Sequence, residues 1–392
     1  AIASRQRTSS SRCSVFTTQK ETSTGTPRLL SPAVRVDVID PSAYTPPYDH
    51  ALCAALARAG ASVRLVTSAF AHGDVPVAEG YTVAERFYRG IPGGRLRVPA
   101  KLARHVPDML AAARAARTAD VVHFQWLAVQ PVDVRLLPAF RRPLVLTAHD
   151  VLPREPRPGQ REAQRRLYDR VDAVVVHSEH GRGRLIGELG VPAQKVHVIP
   201  HGVLRPAGDD GLPPELAAVE GPVALFFGLL RPYKGLDVLL EAWRGIGGAE
   251  LWVVGMPRMD MGPLRAAAPP GVRFLERYVP DGQVGAFFRR ADLAVLPYRE
   301  IDQSGVLFTA LGAGTPLVLS AVGGFPEVAA EGAAELVPPG DAAALHATLA
   351  RLLGDAAARD RLAAGARRAA AERYGWDAIA RRHLELYGRL VG

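Results

Sequence analysis

The chain has 392 residues, more than one compact domain usually holds, so two domains of ordinary size are expected. Hydrophobic residues make up 48% and charged residues 22%, a globular composition with material for real cores and without a run of the length a membrane span needs. Two cysteines, Cys13 and Cys53, exclude a disulfide framework and a cysteine zinc site, which fits a reducing compartment. The net charge of +9 suits anionic ligands or a membrane surface and carries no nucleic-acid motif with it.

Residues 1–31 are dense in Ser and Thr, carry Arg5, Arg7, Arg12, Lys20 and Arg28 against Glu21, and lack apolar periodicity. A disordered tail is expected there. Its composition is that of an organelle transit segment, and a start-site artefact gives the same pattern.

From residue 33 onward, short β-branched runs alternate with Ala/Leu/Arg-rich helical stretches. Strands are predicted at 33–40, 62–67, 119–125, 143–150, 173–178 and 196–202. A Pro, Gly and acid-rich break follows at 203–222. Strands then resume at 223–228, 250–255, 272–276, 293–298 and 316–320, and residues 376–390 return to helical spacing. Near-continuous apolar strands separated by helices mean parallel sheets covered on both faces. The expected class is therefore α/β, with two doubly wound, Rossmann-like domains at 32–205 and 222–375. A linker at 206–221 and a final helix at 376–392 complete the division.

Open α/β sheets bind ligands beyond the carboxyl ends of their strands, and the polar clusters lie at such ends. His149 and Asp150 follow one strand, His177 another, His201 a third, and Gly228 a fourth. In FFGLLRPYKGLDVLLEAW (226–243), Arg231 and Lys234 stand between a strand end and a helix predicted to begin near Lys234 or Gly235. Two cations beside the positive end of a helix repel it unless an anion joins them, so a phosphate-bearing ligand is the economical reading. Side chains that merely reach to water are the alternative. Ser304 and Gly305 open a second helix in SGVLFTALGAG, where Ser304 serves either as an N-cap or beside a second phosphate. There is no GxxxxGK[ST] loop. His177, His180 and His201 could form a metal cluster, but structural histidines at a domain seam are the expectation.

The segments GLLRPYKGLDVLLEAW, ELWVVG, SGV…ALGAGTPLVLSAVGGFPEV and YGWDAIARRHLELYGRL resemble the second domain of GT-B retaining glycosyltransferases of family 4. TAHD, VVHSEHG and VHVIPHG are similar to its first domain, and the resemblance covers roughly residues 33–390. It implies that Lys234 binds the diphosphate of a nucleotide-sugar donor. The family's accompanying Arg falls at Leu229, so Arg231 takes that part. Gly228 and the stretch Ser304, Gly305 and Val306 complete the donor side. The family's two glutamates fall at Ile301 and Thr309. Glu300 or Asp302 could replace the first, and Thr309 would hold the ribose in place of the second. His149 matches a histidine near the reacting sugar; its alternative is a strand-end histidine bonded to Asp150. The family's glycine-rich first loop is here YTPPYDH (44–50), in which Pro46 and Pro47 remove amide donors. Tyr44, Tyr48 and Asp150 are expected to shape the acceptor side.

The implied activity is metal-independent, retaining hexosyl transfer from a UDP- or GDP-sugar to a lipid carrier, a polysaccharide precursor or a small natural product. No cofactor beyond the co-substrate is implied. A nucleotide-sugar epimerase and a non-catalytic binding module of the same fold are the alternatives. The basic stretch 101–120 suggests peripheral contact with a membrane, and the expected location is cytoplasmic.

Overall fold

A computed structural model describes residues 33–70, 73, 75–91, 97–152, 158–205, 208 and 210–392. The tail expected at 1–31 lies outside them. The first sheet holds β1 (Arg35–Asp40), β2 (Ser62–Ser68), β3 (Thr82–Phe87), β4 (Val121–Phe124), β5 (Leu144–Thr147), β6 (Ala173–Val176) and β7 (Val196–Val198). The second holds β8 (Val223–Phe227), β9 (Glu250–Val254), β10 (Val272–Leu275), β11 (Leu293–Leu296), β12 (Leu317–Ser320) and β13 (Ala334–Val337). Their spatial orders are β3-β2-β1-β4-β5-β6-β7 and β10-β9-β8-β11-β12-β13, and every pairing is parallel.

The order reverses direction at β1/β4 in one sheet and at β8/β11 in the other. At each reversal, helices leave neighbouring strands towards opposite faces and open a crevice at the carboxyl ends. Strands β4, β5, β6 and β12 are buried along their whole length, which is why they read as unbroken apolar runs. Two strands escaped the sequence pattern. β3 lies at the sheet edge, mostly exposed, with Glu85 and Arg86 inside it. β13 is a four-residue edge strand, Ala334–Val337, just before Pro338 and Pro339. β7 is shorter than expected: Ile199 to Gly202 leave the sheet after Val198.

The helices that matter for the site follow in chain order. They are α1 (Pro46–Arg58), α2 (Arg97–Ala115), α3 (Gln130–Leu136), α4 (Gln160–Arg170), α5 (Glu179–Leu189), α6 (Pro214–Ala217) and α7 (Leu236–Ala242). After them come α8 (Gly262–Ala267), α9 (Asp281–Arg290), α10 (Gly305–Ala313), α11 (Phe325–Ala329), α12 (Ala342–Gly354), α13 (Ala356–Ala371) and α14 (Trp376–Val391). The break between the sheets is not plain coil: α6 lies inside it and buries Leu216 in the second core.

Helix α14 belongs by sequence to the second half and by packing to the first. Ile379, Ala380, Leu386 and Tyr387 join Tyr48, Leu52, Leu56 and Val145 in one core. Trp376 Nε1 donates to the Val203 carbonyl at 2.8 Å, and Arg58 pairs with Asp377 at 2.8 Å. The chain therefore passes between the two sheets a second time at α14.

Candidate active site

At the β8/β11 reversal, Gly228 follows β8 with φ of 102°, a conformation that side chains rarely adopt. A Cβ there would come within 2.9 Å of Lys234 Nζ and 3.1 Å of Val306 Cγ2. Glycine thus lets the strand end, the Lys234 ammonium and the first turn of α10 converge. Lys234 is only 5% exposed; its Nζ lies 3.4 Å from the Phe227 carbonyl and 5.3 Å from the Tyr298 ring centroid. A short 3-10 turn, Pro232–Lys234, precedes α7, so the helix starts two residues beyond the lysine rather than at it. Gly235, with φ of 70°, makes the joint: a Cβ there would collide with the Pro297 carbonyl.

Arg299 braces this loop. Its amide donates to the Tyr233 carbonyl at 2.8 Å, and its guanidinium donates to the Pro232 carbonyl at 3.1 Å and pairs with Asp237 at 2.6 Å. Nothing in the sequence pattern singled it out. Arg231 is exposed, and among the described residues its side chain makes no hydrogen bond or ion pair.

Helix α10 opens without a side-chain cap. Ser304 is buried, but its hydroxyl bonds no backbone amide of the first turn, so the N-cap role is not what it performs. Among the described residues no protein acceptor takes the N–H groups of Gly305 and Val306. Thr309 is buried and its hydroxyl donates to the Gly305 carbonyl at 3.0 Å. Glu300 is exposed. Asp302 is buried and accepts from the Val151 amide at 2.9 Å and from Arg184 Nη1 at 2.7 Å. Asp302 therefore ties the second half to the β5 loop and to α5, and a carboxylate so engaged is not spare for a ligand. The Glu327 carboxylate accepts the His180 amide at 3.2 Å across the same seam.

The first half presents a different surface. The Asp40 carboxylate, at the end of β1, accepts from the amides of Ser42 at 3.0 Å, Tyr44 at 2.5 Å and Thr45 at 3.4 Å. The Ala43 amide turns to the Asp40 carbonyl, and Pro41, Pro46 and Pro47 have none. Burial and the neighbouring Asp40 push the Asp49 carboxyl well above the usual range, so a neutral Asp49 shares a hydrogen bond with Asp40. The loop's amides are thus consumed by the protein's own carboxylate.

Around it the aromatic groups stack. Tyr44 is 67% exposed and packs 4.5 Å from Trp126. Trp126 lies flat on His149 at 4.9 Å and donates to the Thr45 hydroxyl at 2.9 Å. Tyr48, expected with Tyr44 to shape the acceptor side, is instead 2% exposed and sits beneath His149, His177, His201 and Trp376. It faces inward because its position in α1 is on the stripe that meets α14. His149 bonds partners other than its neighbour Asp150. Its Nε2 lies 3.2 Å from Gln125 Oε1 and its Nδ1 lies 3.2 Å from His177 Nε2.

Burial holds His149, His177 and His201 below the usual histidine range, His177 at about 4. His201 stacks on Phe308 of α10 at 4.3 Å. The first turn of α10 is therefore where the two clusters meet: Val306 touches the lysine corner and Phe308 the histidines. Among the described residues no three of His, Cys, Asp and Glu converge as a set that could hold a metal ion.

Two family descriptions match this chain: Glycosyltransferase Family 4 over residues 48–203 and Glycosyl transferases group 1 over residues 221–355. A D-inositol 3-phosphate glycosyltransferase of Salinispora arenicola is 30% identical over 326 residues, which cover 71% of this chain and 71% of that protein. The chain is a family 4 glycosyltransferase. A D-inositol 3-phosphate glycosyltransferase of Xylanimonas cellulosilytica is similar over more of the length, 28% identical across 86% of this chain and 89% of its own. Among solved structures, HepE of Anabaena in complex with UDP and glucose superposes with a TM-score of 0.70 at 19% identity, covering 91% of this chain and all of that one. The two-sheet architecture of this glycosyltransferase is thus the GT-B fold.

Proposed function

We propose that the enzyme transfers a hexosyl group from a nucleoside-diphosphate sugar to a hydroxyl acceptor with retention of configuration. The observation that carries this reading is the corner where Gly228, Lys234 and the uncapped first turn of α10 converge at the sheet's switch point. That corner supplies a buried ammonium, an unengaged Arg231 and two amides without protein acceptors, the chemistry of a diphosphate site.

In the reaction the bond between the anomeric carbon and the β-phosphate oxygen breaks while the acceptor oxygen bonds the same face. The acceptor's proton passes to the departing phosphate. Negative charge grows on that phosphate, and Lys234, Arg231 and the Gly305 and Val306 amides stand ready for it without reorganising. His149 contributes a neutral imidazole beside the sugar. With this charge complement from side chains and amides, turnover is expected to persist in excess EDTA. UDP and glucose bound to HepE, and the D-inositol 3-phosphate in the names of both relatives, support a panel of UDP- and GDP-sugars with cyclitol, lipid-linked and polysaccharide hydroxyls.

The test is release of nucleoside diphosphate by the purified enzyme with and without acceptor, and the anomeric configuration of the product by NMR. Release only with acceptor, with retained configuration, is expected. Release without acceptor would point to an epimerase, and no release with any pair to a binding module.

A second element of the reading is peripheral membrane contact through α2. Val98, Leu102 and Val106 recur every four residues and are 67%, 52% and 38% exposed, with Arg97, Lys101 and Arg104 beside them. An exposed apolar stripe flanked by cations suits an anionic bilayer surface. Among the described residues no helix is long and apolar enough to cross a membrane. Co-sedimentation with phosphatidylglycerol vesicles, lost in Leu102→Glu, would support the contact; equal recovery of both proteins with the vesicles, or of neither, would exclude it.

A further inference from the structure

The histidine cluster contains a directed chain of hydrogen bonds whose polarity can be deduced. His177 Nδ1 lies 3.0 Å from the Ile199 carbonyl, which only accepts. The proton of His177 is therefore on Nδ1, and its Nε2 is bare. His149 Nδ1 faces that bare nitrogen at 3.2 Å, so it must be the donor. A neutral His149 then has a bare Nε2, and both rings are held neutral by burial.

Gln125 completes the deduction. Its amide stands 3.2 Å from His149 Nε2 on one side and 3.4 Å from His123 Nε2 on the other. Amide oxygen and nitrogen have nearly the same shape, so the hydrogen-bond network decides between the two orientations. With the oxygen towards His149, two lone pairs oppose each other, either there or between the two histidines. With the NH2 towards His149, none do. His123 then donates from Nε2 to the Gln125 oxygen and to Thr147 Oγ1, which lies at 2.7 Å. Its Nδ1 accepts from the Tyr387 hydroxyl at 2.6 Å. Burial raises the Tyr387 phenol, which keeps it a donor. Every donor in the series points the same way, from Tyr387 on the returning helix α14 to the Ile199 carbonyl after β7.

From this we infer that His177 is a positioning residue that fixes His149 as the Nδ1–H tautomer and leaves its Nε2 as a hydrogen-bond acceptor. The inference rests on the proposed role of His149 beside the sugar and deepens it: the ring would accept a hydrogen bond from a substrate hydroxyl, shared with the Gln125 amide, and could not donate one. Trp126, flat on the ring at 4.9 Å, restricts its tilt, and the His149–His177 bond sets its rotation.

The experiment is a long-range 1H–15N correlation on the full chain carrying ring-15N histidine, with His149 assigned by the signals missing in His149→Gln. The Nδ1–H pattern is expected for His149 in the wild type. His177→Phe removes the acceptor and should convert His149 to the Nε2–H form or a mixture. Its kcat should fall roughly 10–100-fold, the range seen when a hydrogen-bond partner that orients a metal-bound histidine is lost and taken over here by analogy, with KM for donor unchanged. His177→Gln keeps an acceptor near the same place and should restore both the Nδ1–H pattern and most of kcat. A wild-type His149 in the Nε2–H form would overturn the inference, as would a tautomer that His177→Phe does not change. If His177→Phe does not fold, the wild-type and His177→Gln spectra still decide. The spectra are read without substrate, so failure of the proposed transfer reaction leaves them interpretable. A kcat insensitive to His149→Gln would instead remove the catalytic role and leave the tautomer assignment standing.

Discussion

The ends of β1 and β8 occupy equivalent places in the two sheets, each beside the reversal of strand order, and they are finished in opposite ways. After β1 the loop amides close on Asp40, which in turn is bonded by a neutral Asp49; the proline-bounded loop from 41 to 47 keeps no backbone amide for an external anion. After β8 the glycine holds the backbone away, Lys234 sits over it, and the helix on the adjacent strand opens uncapped. One crevice is electrically complete and the other is not. On the proposed function two similar domains divide the work: the second offers its open crevice to the diphosphate, and the first presents aromatic and neutral imidazole surface to the acceptor side.

The largest effect expected from breaking this arrangement is loss of the joint between the halves. Removing residues 376–392 uncovers the core shared by α1 and α14. Ile379, Leu386 and Tyr387 are each 1% exposed or less, and each such side chain contributes about 1.5–3 kcal/mol. The truncated chain should aggregate or melt far earlier; a monomer with unchanged melting temperature and activity would refute the role given to α14.

Lys234→Ala should come next, with turnover nearly abolished and melting little changed. Its counterpart in the first half, Tyr44→Ala, should leave donor binding intact and raise KM for the acceptor alone. Steady-state kinetics on both variants would sharpen the division of labour, and a donor-side defect in Tyr44→Ala would blur it.

Acidification should follow in size. Burial lowers His123, His149, His177, His201 and His383 in the folded chain, so between the unfolded value near 6.5 and the lower folded values the unfolded state binds more protons. Stability is therefore fully present above pH 6.5 and is lost as pH falls. A histidine whose pKa lies far below contributes a loss of about 1.4 kcal/mol one unit under its unfolded value. Asp49, raised well above the usual range in the folded state, and Asp37 and Asp40, also raised by burial, oppose this in part. Urea midpoints should drop between pH 7 and pH 5. A flat or rising profile would mean that the cluster is hydrated and charged.

The smallest effect is expected at the seam. Arg184→Ala leaves Asp302 with the Val151 amide, and because Arg184 is partly exposed the loss should be about 1–2 kcal/mol. Urea denaturation of the variant measures it. No change in midpoint would show that the Arg184–Asp302 pair does not hold the halves together.

The sheets were legible because both-face burial gives apolar runs with little else in them; β3 and β13, at the edges, lack that signature. The lysine corner was legible because Gly, Arg, Lys and Gly cluster within eight residues at a strand end. What could not be read depends on contacts between distant segments. Asp302 reads as a spare carboxylate in sequence because its partner Arg184 lies 118 positions earlier. Tyr48 looked like a pocket wall because the helix that covers it comes more than three hundred residues later. Gln125 and Trp126 follow β4 as a polar–aromatic pair at a strand end, a signal of the same kind as His149, but only the fold sets them against that ring.

On the proposed function the donor's diphosphate lies in the corner made by Gly228, Lys234 and α10. Calorimetric titration of wild type and Lys234→Ala with a nucleoside diphosphate and with its parent nucleoside measures the phosphate contribution at that residue. The nucleoside diphosphate should lose about 1.5–3 kcal/mol of binding on substitution, as expected for charge-assisted bonds, while the nucleoside binds both proteins alike. Equal affinity of both proteins for the diphosphate would place it elsewhere and contradict the account.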